Sequence, residues 1–203
     1  MGVYKLSSAG GLATPRTNYS SFLAGNEAFS IANYESIATA NITSAQATVE
    51  FTSIPTNFKH LQVRIFSANT SAAYYMQMQF NSSTADYNWH GLWGGGDGNG
   101  TLTSIYNTSP SACLVGVNSA TSVNSSVRCA AIVDILDYRD TNKFKTTRSF
   151  YGYNSNTTDS GQQHIGIFSA TWRNTSAITS IKFLSADGNF PANSHYALYG
   201  IKG

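Results

Sequence analysis

From Tyr34 onward the chain is a succession of short apolar and polar alternations broken by turn-forming clusters, and this pattern restricts the fold more than any other feature. A period of two puts every second side chain on one face of a strand, so such a strand buries one face and needs another layer to bury it against. AYYMQMQF shows this most plainly, with Tyr74, Met76, Met78 and Phe80 on one face and Gln77 and Gln79 on the other. The runs predict strands at 34–39, 47–51, 60–66, 73–80, 86–92, 102–107, 112–117, 127–136, 144–152, 164–172, 177–184 and 195–201. SIPTNF, WGGGDGNG, NSNTTDSG and SADGNFPANS punctuate them with turn residues. A dozen or so strands with no helical period between them predict an all-β protein, a β-sandwich of jelly-roll or Greek-key type. HYALYGI, the final run, is predicted to be a core or sheet-closing strand.

Composition agrees with that reading. Charged residues make up 11% of the 203, against about a quarter in an ordinary domain, while Ser, Thr and Asn supply about a third. These three residues compete for backbone hydrogen bonds and disfavour long helices. Twelve Tyr, eleven Phe and three Trp are too many for a solvated, disordered chain.

Residues 1–30 differ from the rest of the chain. Their apolar side chains stand singly, with neither a strand period nor a helical one, so the segment is read as an extended N-terminal arm on a sandwich domain of residues 31–203. The anchors of such an arm would be Tyr4, Leu6, Leu12, Tyr19, Phe22 and Leu23, inserted one at a time into a partner. The start MGVYKLSSAGG has no apolar core of a signal peptide, and no run is long enough to span a bilayer, so a soluble protein made in a cytosol, with no membrane insertion, is expected.

Catalytic chemistry finds little footing. His60, His90, His164 and His195 lack metal-ligand spacing, and no metal or cofactor is expected. DILDYRD concentrates Asp134, Asp137 and Asp140; a carboxylate pair for glycoside hydrolysis is one reading and a turn capping its own backbone the favoured one. GGGDGNG at 94–100 lacks the Lys and Ser or Thr of a phosphate loop. Cys113 and Cys129 read as small buried hydrophobes rather than a disulfide. KFKTTR is the densest basic run, read as one strand with Lys143, Lys145 and Arg148 on its wet face; that is too narrow for a nucleic-acid footprint, and no nucleic acid is expected. For binding, Tyr87, Trp89 and Trp93 in DYNWHGLW could stack on a host surface glycan, while the alternative places Tyr87 and Trp89 in the core.

LATPRTNYSSFLAGNEAF, YESIAT, VEFTSIPTNFKHLQVRI, VDILDYRDTNKFKTTRSFYG, ATWRNTSAITSIKFLSADGNF and HYALYGIKG together resemble a family of structural proteins of tailed bacteriophages, mostly marine and cyanobacterial. The most specific pieces are the segment at 53–64, DILDY at 134–138 and the terminal LYGIKG. The resemblance implies a virion component that is not an enzyme, with other virion proteins of the capsid or tail as partners. A charge-poor surface of hydroxyls and amides suits packing against copies of itself, so a homo-oligomer is expected as well.

Overall fold

The computed structural model describes residues 33–71, 75–95, 102–108, 110–156 and 163–203, and the strands among them belong to one unit, Tyr34–Gly203. The arm anchors Tyr4 to Leu23 lie outside the described residues, as does Tyr74. Among the described residues there are thirteen strands, in chain order β1 (Tyr34–Asn41), β2 (Thr48–Phe51), β3 (His60–Asn69), β4 (Tyr75–Phe80), β5 (Tyr87–Gly95), β6 (Leu102–Asn107), β7 (Cys113–Val117), β8 (Ser119–Ala120), β9 (Cys129–Leu136), β10 (Lys145–Asn154), β11 (Gln163–Trp172), β12 (Ile181–Ser185) and β13 (His195–Ile201). No helix occurs among these residues.

The architecture is the expected β-sandwich, with layers of unequal size. One sheet runs β1-β13-β3-β9-β10-β11-β5-β6, with the two-residue β8 added in parallel to the end of β3. The other runs β2-β12-β4-β7. All other strand pairs are antiparallel.

Between the layers lies one continuous core. Met76, Met78 and Phe80 are fully buried from β4, while Gln77 and Gln79 are half-buried on its other face, as the alternation requires. From the larger sheet come Leu61 and Val63 of β3, Val133 and Ile135 of β9, and Tyr196 and Leu198 of β13. Aromatic rings lock the layers, with Phe80 and Trp172 at 5.7 Å and Phe183 and Tyr196 at 5.3 Å between centroids. β13 is an interior strand, paired to β1 on one side and β3 on the other. Gly200 in it has a steric reason, because a Cβ there would collide with the buried ring of Phe58.

Lys145 departs from the expected wet face. It is fully buried, facing inward at the start of β10 opposite Trp172, and its ammonium donates to the carbonyls of Asp140, Lys143 and Thr175, the last two at 3.0 Å. Three loop carbonyls there match the three N–H donors of the ammonium, so alternation sends the lysine inward. Arg148 does face water, and Lys143 is exposed.

Candidate functional site

The three rings considered for glycan stacking all sit on the inner face of β5. Tyr87 is fully buried; its hydroxyl accepts the Phe80 N–H at 2.9 Å and its ring stacks near Trp172. Trp89 and Trp93 pack against the core, Trp89 edge-on to Phe168 at 6.0 Å and Trp93 beside His164 at 4.7 Å. Tyr87 and Trp89 thus follow the core reading and Trp93 turns inward with them, while Asn88, His90 and Leu92 alternate with these rings and take the outer face. Of the GGGDGNG loop, Gly94 and Gly95 belong to β5, and residues 96–100 lie outside the described residues.

The remaining polar candidates are dispersed. His60 Nδ1 accepts the Asp137 N–H at 2.9 Å; His90 and His195 lie on the outer sheet face; His164 is inside. Among the described residues, no group of three or more His, Cys, Asp or Glu could hold a metal ion. Asp137 occupies the turn after β9 at a φ of 46°, bonded to Lys143 at 2.6 Å, and this ammonium together with His60 holds its carboxyl below the usual range. That is opposite to what a general acid in glycoside hydrolysis needs. Tyr138 beside it is buried and donates to the Pro55 carbonyl, and its own carbonyl receives the Ile178 N–H at 2.8 Å. DILDYRD thus works as a surface turn anchored by the buried Tyr138. Cys113 and Cys129 are both free and buried; burial pushes the Cys129 thiol up to about 12 and Cys113 higher still. No helix of the described residues is long and apolar enough to cross a membrane.

What the structure does bring together is the outer face of the larger sheet. Strand register aligns its side chains into rows that cross the strands. One row runs Arg64, Ile132, Phe150, Ile167 and Leu92 from β3 to β5. The next runs Phe66, Ala130, Gly152, Ile165, Gly94 and Leu102 from β3 to β6. Phe150 is 54% exposed, Ile167 51%, Ile132 43% and Leu102 66%, values that belong to surface polar residues rather than to large hydrophobes. On the other side of the first row stands a polar one, Gln62, Asp134, Arg148, Ser169 and His90.

The apolar rows sag into a depression of about 550 Å³ floored by Leu92, Ile132, Phe150 and Ile167 and bordered by Asp134 and Arg148. Asp134 accepts from Gln62 Nε2 at 2.8 Å, and Gln62 in turn accepts from the Tyr34 hydroxyl and from Arg64 Nε. Arg64 lies over the stacked rings of Tyr34 and Tyr199, 5.3 and 5.2 Å from their centroids, which draws its charge off the apolar rows toward β1. A second cleft, about 650 Å³, opens beside Phe58 and Lys59, where Asp137 and Asp140 are already paired with Lys143.

Sequence reasoning passed over this face because in β10 and β11 neighbouring positions are both apolar. Phe150 precedes Tyr151 and Ile167 precedes Phe168, so alternation alone does not say which of each pair turns outward. Compared with known proteins, the chain matches no family model, no curated protein and no solved structure.

Proposed function

We propose that the protein is a structural component of a tailed-bacteriophage particle, without catalytic activity, of head-decoration, fibre or knob type. The observation that carries this reading is the outer face of the larger sheet. An apolar surface four strands wide in its first row, between Arg64 and Ser104, and six strands wide in its second covers about 330 Å² in projection, the size of the largest exposed patch on a typical monomer, a patch that is often functional. Such a surface suits a protein that works by being packed against other proteins. The shortage of charge supports the same reading, since hydroxyls and amides are cheaper to desolvate than ions. The resemblance of the SIPTNFKHLQVR, DILDY and LYGIKG segments to phage structural proteins gives the assembly its kind. In this reading the N-terminal arm joins the sandwich to the rest of the particle.

Quantitative mass spectrometry of purified virions, with the major capsid protein as the internal standard, tests this directly. A fixed copy number is expected: one that scales with capsomers marks a head protein, and a handful marks a tail protein. Absence from purified particles overturns the proposal. Full-length protein carrying Ser in place of Tyr19, Phe22 and Leu23 should stay folded yet fail to load, and normal loading would remove the arm from the mechanism.

A further inference from the structure

We infer that the outer face of the larger sheet is a two-fold interface with a second copy of this chain, the two sheets stacked face to face about an axis that runs along the strands between β9 and β10. This inference stands on the sheet face and does not depend on virion membership.

β9 and β10 are the two central strands of the eight-strand path, with β1, β13 and β3 on one side and β11, β5 and β6 on the other. A two-fold axis along the strands at that point preserves position along each strand and reverses strand order. It lays β9 over the partner's β10 and β3 over the partner's β11. Each side-chain row then meets itself in reversed order, and the rows are chemically suited to this. Ile132 comes over Phe150, and Phe66 over Ile165, so apolar meets apolar, while Arg64, held over the rings of Tyr34 and Tyr199, comes over Ile167. In the polar row Asp134 comes over Arg148, and by symmetry Arg148 over Asp134, so opposite charges meet twice.

Charge and area both favour this occupant. Arg148 is exposed beside the apolar rows and stands across the β9–β10 pair from Asp134 of its own chain; among the described residues Arg148 has no ion-pair partner and Asp134 accepts a side-chain hydrogen bond from the Gln62 amide. Each group thus keeps capacity for a charge that a second copy supplies. Eight strands by three rows make a face of about 38 by 20 Å, close to the roughly 800 Å² per partner that a standard stable interface covers. Sheets stack about 10 Å apart with strands rotated by about 30°, and the pairs next to the axis, Ile132 with Phe150 and Asp134 with Arg148, are those that survive such a rotation.

The test uses full-length chains in sedimentation equilibrium. Wild type should have twice the 21.8 kDa chain mass. Asp134→Arg places Arg over Arg148, and Arg148→Asp places Asp over Asp134, so each variant alone should sediment as a monomer. Mixed in equal amounts, they should form a 1:1 heterodimer, because every facing pair is then opposite in charge. Phe150→Asp should give a monomer that no mixture rescues. Unreactive Cys113 and Cys129 certify that each variant is folded. Several results overturn the inference: monomeric wild type, a trimer or larger ring, charge variants that remain dimers, or folded charge variants whose mixture stays monomeric. Coverage of the face by the chain's own arm or by a different protein would register as the monomeric wild type.

Discussion

Raising the pH should unfold this protein cooperatively, at a pH set by groups that the core keeps protonated. Tyr87, Tyr151, Tyr153 and Tyr196 are buried, and burial pushes each phenol well above its ordinary value; Cys113 and Cys129 are pushed up for the same reason. A folded-state pKa above the unfolded one means stability that is fully present below the unfolded pKa and lost as pH rises toward the folded value. Unfolded Tyr and Cys titrate near 10 and 8.5, and each proton released on unfolding lowers stability by about 1.4 kcal/mol per pH unit. Between pH 8 and 10.5 the four phenols and two thiols together remove about 8 kcal/mol, against a total of about 5–15 for a typical domain. Lys145, whose ammonium burial pushes down, opposes this, but with only one proton.

A midpoint between about pH 10 and 11.5 is therefore expected. It should be read by circular dichroism and near-ultraviolet phenolate absorbance on the same samples. At least a third of the phenolate signal, from four of the twelve tyrosines, should appear in the same step as the loss of sheet structure. If all the phenolate signal develops while the circular dichroism stays native, the buried hydroxyls have access to water and the reasoning is refuted.

Other consequences concern single groups. Lys145→Ala strands the carbonyls of Asp140, Lys143 and Thr175 and should cost about 2–3 kcal/mol, seen in calorimetry as a fall of about 5–10 °C; an unchanged melting temperature would mean that water replaces the ammonium without loss. Gly200→Ala forces Phe58 out of its site and should cost about 1–3 kcal/mol in urea unfolding, and a neutral result would show that β13 and the loop before β3 separate easily. Neither thiol should react with a disulfide reagent in the native protein, and both should react in denaturant; a fast native thiol would contradict the burial of β7 or β9.

Local pattern was sufficient where one side of a strand is clearly the wetter. In β4 the glutamines mark the outside, and the methionines and Phe80 have only one way to turn. Turn chemistry was sufficient for DILDYRD, since an Asp at a positive φ followed by a self-bonded turn is a short-range preference. The arm and the loop at 96–101 lie outside the described residues. β8 has no sequence signal, because two residues of parallel pairing show no period. The predicted strand at 177–184 begins only at Ile181, since Asn81 takes the amides of Thr179 and Ser180 and Tyr138 takes that of Ile178.

By itself the sequence determined an all-β sandwich, an inward Met76, Met78 and Phe80, and a final strand held inside a sheet, because a period of two and the demand of turn residues for particular backbone angles act over a few residues. Tertiary structure alone decided the unequal layers, the inward turn of Trp93, the burial of Lys145 and the outward row of Ile132, Phe150 and Ile167. Where both faces of a strand are apolar, the side that turns inward is chosen by whichever layer packs against it, and that layer comes from residues far away in the chain.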